Sequence, residues 1–208
     1  MDWLPGLELW AGRIGAVAGL ATLAVALWGF WRGRHRIAGR ETGIAHRALR
    51  WPFLFLATVI YAGLCALLWH PIPLTLSPTA RLVMLSLGSL LFFSALGLYL
   101  WGFQTLGKMF AASSGFGVRL YTDHRLITRG PYAYVRHPMY LAVIIAGLGA
   151  LLIYKTWAMA FFALNMFGLV LRARGEEQAL VAEFAEEWNA YASQVPAWIP
   201  RVHRITRS

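Results

Sequence analysis

The chain has 208 residues, of which 59% are hydrophobic, 14% aromatic and 13% charged, with a formal net charge of +10. This lies well outside ordinary soluble composition and places the chain in a bilayer. One cysteine, Cys65, excludes a disulfide framework and a cysteine-based metal site.

In chain order, the first apolar run covers residues 10–31. Asp2 and Glu8 precede it where a signal peptide would be basic, and no small-residue cleavage site follows, so it is expected to remain as an anchor. A second run covers 51–69 and contains Cys65, whose expected role is packing. Pro71, Pro73 and Pro78 mark the loop before a third run, 82–103. Gly107, Gly115 and Gly117 loosen a long loop after it. The region 139–171 is long enough for two short helices meeting at Tyr154, Lys155 and Thr156. Tryptophans 10, 31, 51, 69 and 101 sit at or near span ends, as in an interfacial belt. Gly147 and Gly149 suit close helix packing. The predicted fold is an all-α integral membrane helical bundle of about five transmembrane helices, the last two a short hairpin. A two-span region, 1–81, precedes a core, 82–208.

Sixteen of the 19 basic residues fall in three segments, 32–50, 105–138 and 172–208. Five spans put all three on one side, leaving Arg13, Arg81 and Lys155 near the other. The positive-inside rule then predicts an outer N-terminus and a cytoplasmic C-terminus. The basic loops read as topology signals and contacts to membrane lipids, with no nucleic-acid surface. Seventeen arginines against two lysines hint at a GC-rich genome and, for a bacterial source, the inner membrane.

The stretch GPYAYVRHPMY, 130–140, directly precedes an uncharged run. A residue before proline avoids helical geometry and proline suits the first helical position, so His137 is the predicted cap and Pro138 the first residue of the fourth helix. The amides of Met139, Tyr140 and Leu141 are then expected to be open at a helix start that suits anions. In RARGEEQAL, 172–180, a helix continuing through Gly175 sets Arg172 and Glu176 one turn apart, with Arg174 and Glu177 on a neighbouring face. The hairpin brings these charges near His137 and Tyr140, making a cytoplasm-facing pocket. S-adenosylmethionine suits such a pocket: its carboxylate matches the helix end, its ammonium Glu176 and its sulfonium the aromatic faces. Arg172 suits an anionic acceptor. The histidines show no metal-ligand spacing, so no metal site is expected.

GPYAYVRHPMY together with RARGEEQAL and FAEEWNAYASQVPAWIP resembles the isoprenylcysteine carboxyl methyltransferase and phospholipid methyltransferase superfamily. QTLGKMF, 104–110, and DHRLITRGPY, 123–132, also look like the family's loop. The resemblance covers about 100–200 and implies a multi-helix membrane enzyme using S-adenosylmethionine. It implies cofactor contacts at His124, Arg125, Leu126, Ile127, Tyr132, His137, Pro138, Met139, Tyr140, Glu176 and Glu177, with Arg172 serving the substrate as the catalytic arginine. Departures include Ala142 after the RHPMY segment, Ala185 for the glycine of a common FGEEY stretch, Trp188 for its tyrosine, and Gly117 at the place of a cofactor-contacting glutamine.

The leading expectation is methyl transfer to a lipophilic small molecule or lipid entering from the bilayer, with prenylcysteine-like carboxylates as the pattern. Phospholipid N-methylation is the alternative and needs Glu177 or Glu176 as a base. An NADPH-dependent reductase, since RHP-tyrosine and a glutamate pair also occur in sterol reductases, and a non-enzymatic membrane protein stand behind these. No obligate protein partner is evident.

Overall fold

The computed structural model describes residues 2–33, 38–41, 51–110, 113–114, 117–121 and 125–201. Helix α1 spans Leu4–Gly33, α2 Trp51–Leu67, α3 Pro78–Leu106, α4 Pro138–Tyr154, α5 Trp157–Met166 and α6 Leu169–Gln194. Three stretches, Leu4–Gly29, Pro78–Met109 and Trp157–Gln194, are long and apolar enough to cross a bilayer, while Phe55–Leu67 and Pro138–Tyr154 are shorter apolar helices. Large aliphatic side chains such as Val17, Leu20, Leu90 and Leu164 stand exposed around the bundle, as lipid contact requires.

The helix ends follow local chemistry. Ser77 caps α3 by accepting from the Ala80 amide at 3.2 Å, and Pro78 occupies the first turn. Thr156 caps α5 by accepting from Met159 at 3.3 Å. The expected turn at 154–156 is present, with Lys155 in the left-handed region. At 17 residues α4 is about 25 Å long, short of a roughly 30 Å core. Its partner α5 has only 10 residues, and Phe167 and Gly168 separate it from α6.

At the centre α4 lies against α3. Leu85 and Phe92 of α3 pack with Ala150 and Ile153 of α4, and Tyr154 is packed against them. The backbones approach closely at Gly88 and Gly149: a Cβ on Gly149 would meet the Phe92 nitrogen at 2.6 Å. The small-residue packing expected at Gly147 and Gly149 is thus present. Helix α1 packs on α3 and α4, and Tyr154 donates to the Gly12 carbonyl at 2.6 Å. Glu8 pairs with Arg81 and, at 3.3 Å, with Lys155, so two of the three cations expected apart from the basic loops meet one carboxylate.

The bundle is helical as expected, but the loops add a small sheet that an all-α reading omits. Strand β1, Ala38–Glu41, runs antiparallel to β3, Gly117–Tyr121, with Glu41 opposite Arg119. Strand β2, Ser113–Ser114, pairs with the other edge of β3. These strands are two to five residues long and lack an alternating pattern long enough to read. Their pairing ties the loop after α1 to the loop after α3, and β3 lies against α6.

Candidate active site

The site forms where the start of α4 meets α6. Gly130 opens a short 3-10 turn, Gly130–Ala133, at φ 61, and a Cβ there would meet the Thr105 hydroxyl at 2.6 Å. Only glycine fits, and the turn carries Tyr132 inward. His137 is the N-cap of α4 and Pro138 its first residue, as predicted. One expectation is corrected: the Leu141 amide is not open, because it donates to the His137 carbonyl at 3.0 Å. Leu141 is the first residue of the helix with a carbonyl four positions behind it.

Helix α6 continues through Gly175, as expected, and delivers its charges to the same place. A cavity of about 420 Å³ opens there. Arg125, Leu126, Ile127, Tyr132, His137, Met139, Tyr140, Arg172 and Glu176 all line it. Pro138 is fully buried outside the lining, and His124 lies outside the described residues. Glu177 turns away from the cavity to an ion pair: its Oε1 lies 2.8 Å from His137 Nε2 and 2.9 Å from the Arg136 guanidinium. Arg174 is exposed.

The rings are ordered. His137, 6% exposed, stacks on Tyr140 with 5.7 Å between centroids and 6° between planes. The Arg172 guanidinium lies 5.2 Å from the centre of the Tyr140 ring. Tyr191 donates to the Tyr132 carbonyl at 2.7 Å. Arg136, Tyr191, Tyr99 and, from α1, Leu23 and Ala26 also line the cavity without any mark in the sequence, and so does Trp188, noted there only as a departure from the family's tyrosine. Arg136 lay within the quoted stretch, but nothing in one sequence tells a site arginine from a topological one. One part of the lining is apolar, with Val143, Met166 and Leu169.

Burial, reinforced by Glu176, raises the Tyr132 phenol well above its usual range, so it stays protonated at neutral pH.

Residues 82–182, which carry α3, α4, α5 and the start of α6, match the Isoprenylcysteine carboxyl methyltransferase (ICMT) family. The match takes in just under half of the chain. A Protein-S-isoprenylcysteine O-methyltransferase of Schizosaccharomyces pombe is 37% identical over 86 residues. That similarity takes in 38% of this chain and 35% of the relative, so the chain spans about a third of the relative's length. The matched region contains Arg172, Glu176 and the whole of α4 but stops before Trp188 and Tyr191.

Proposed function

We propose that the chain is an integral-membrane methyltransferase that uses S-adenosylmethionine and methylates a lipophilic carboxylate or thiolate, as an isoprenylcysteine carboxyl methyltransferase does. The observation that carries this reading is the convergence of Glu176, Arg172 and the start of α4 on one cavity of about 420 Å³. That volume lies within the range of ordinary small-molecule sites, roughly 300–1,000 Å³.

The residues fit the cofactor. Glu176 would hold the ammonium, the start of α4 at Met139 the carboxylate, and the Tyr132 and Tyr140 rings the sulfonium. Leu126, Ile127 and Met139 supply apolar surface. When bound, S-adenosylmethionine supplies an electrophilic methyl carbon. An ionised oxygen or sulfur needs no proton removed, so the protein's task is alignment and exclusion of water. Arg172 would hold the acceptor anion, with its place fixed against the Tyr140 ring. The acceptor's apolar part would lie along Leu23, Val143, Met166 and Leu169, toward the bilayer. Glu177 is already engaged by Arg136 and His137, so a proton-accepting role toward an amine finds less support. We assign the basic loops and the C-terminus to the cytoplasm, at the bacterial inner membrane for a bacterial source.

The test is calorimetry of S-adenosylhomocysteine against the detergent-purified protein and Glu176→Ala. Micromolar binding lost in the variant is the expected result. A folded, unaltered protein that binds nothing would overturn the cofactor assignment. Mass spectrometry of products from carboxylate, thiol and amine lipids then identifies the acceptor.

A further inference from the structure

Helix α6 breaks at Ala185, where φ is 44 and ψ is −109. The helical segment beyond it, ending at Gln194, turns Trp188 and Tyr191 into the cavity. Trp188 is 4% exposed. The last turn of that helix presents carbonyls with no partner four residues on. At Ala192 the deficit is built into the sequence, because position 196 is a proline and has no N–H.

Arg136 meets this deficit. Its Nη1 donates to the Ala192 carbonyl at 3.0 Å and to the Val195 carbonyl at 3.1 Å. A guanidinium at a helix C-terminus is also favoured by the helix dipole. The opposite side of the same guanidinium holds Glu177 through Nε and Nη2, each at 2.9 Å. Its carbon lies 5.8 Å from the centre of the Trp188 ring. The backbone continues the attachment: the Arg136 amide donates to Pro196 at 2.9 Å and the His137 amide to Ala197 at 3.2 Å. Trp198 then packs on the His137 ring at 5.4 Å.

We propose that Arg136 and Glu177 are positioning residues that latch the segment after Ala185 against the cavity. They act through Trp188 and Tyr191 rather than on the reacting atoms. The latch closes one wall of the cofactor pocket, and its release lifts that wall and lets the product S-adenosylhomocysteine leave. The identity of the ligand rests on the function proposed above; the latch itself does not.

The experiment compares the unaltered full chain with Arg136→Lys and Glu177→Gln in detergent. Hydrogen exchange over residues 186–194 is measured without ligand, and S-adenosylhomocysteine dissociation is measured beside it. One ammonium cannot hold a carboxylate and two carbonyls in a planar fork, so Arg136→Lys is expected to speed exchange there by about tenfold or more. Exchange in α3 and α4 stays unchanged. Dissociation quickens by a similar factor, and the cofactor KM rises while kcat at saturation holds. Should Arg136→Lys fail to fold, Glu177→Gln carries the comparison, since it keeps the side chain's size and removes only its charge. Unchanged exchange over 186–194 overturns the latch. Faster exchange with unaltered dissociation overturns its role at the pocket, and a fall in kcat at constant KM in Glu177→Gln would place that carboxylate in the chemistry. If the unaltered protein binds no S-adenosylhomocysteine, the proposed function fails, while the exchange measurement still decides the latch.

Discussion

A Cβ on Gly149 would stand 2.8 Å from the carbonyl oxygen of Gly88, so α3 and α4 touch backbone to backbone. This contact sets the distance between the two helices, and α4 carries half the site on its first turn. Gly149→Val is therefore expected to destabilise the protein by about 1–3 kcal/mol through overpacking against main chain that cannot yield. Thermal unfolding in detergent measures this. Gly97→Ala, where a Cβ meets nothing within 4 Å, is the control and should leave the midpoint nearly unchanged.

Ala185 occupies a positive-φ conformation that L side chains rarely adopt. Ala185→Gly is expected to relieve that strain and stabilise the protein by roughly 1 kcal/mol, less the added freedom of the unfolded chain. The unfolding midpoint of α6 should rise, as read by hydrogen exchange of its amides. A lower midpoint would show that alanine serves the kink.

Glu8 accepts from both Arg81 and Lys155 at the end of α4 away from the cavity. Glu8→Gln should lower the unfolding midpoint while leaving S-adenosylhomocysteine affinity near its original value. In a double-mutant cycle with Arg81→Gln, the two losses should sum to more than the loss in the double variant, since each removes the same pair. Strict additivity would show that the pair is solvated and contributes nothing.

Arg172 and Glu176 should separate in their kinetic effects. Arg172→Lys keeps the charge but loses the planar fork, and it is expected to lower kcat/KM for the acceptor by about tenfold or more with cofactor affinity retained. Glu176→Ala should instead weaken the cofactor by at least about tenfold, as expected when a charged hydrogen bond is removed. Steady-state kinetics in both substrates, with calorimetry, distinguish the two patterns.

Much of the bundle was legible because lipid imposes length and apolarity on any spanning segment, and proline and glycine punctuate it. His137 and Pro138 could be placed at the start of α4 from backbone sterics alone, and the turn at 154–156 from the interruption of the apolar run. The convergence of His137 and Tyr140 with Arg172 and Glu176 followed from the hairpin, which returns the chain to the start of α4.

Other features depended on contacts between distant parts of the chain, which one sequence does not encode locally. Strands β1 and β3 pair through backbone groups that every residue possesses, across 79 residues between Ala38 and Gly117, so side-chain pattern gave no sign of them. Ala26 could not be read as a site residue, because its place at the cavity depends on how α1 packs against α3. Composition by itself determined that the chain is a helical membrane bundle, and local sterics where α4 begins, because those properties are settled within a few residues; α1 and α3 start at Leu4 and Pro78, ahead of the apolar runs that open at 10 and 82. Only the tertiary structure decided that Glu177 serves Arg136 and His137 while Glu176 faces the cavity. Neighbouring carboxylates on one helix point about 100° apart, and which one meets the pocket depends on the packing of α6 against α4.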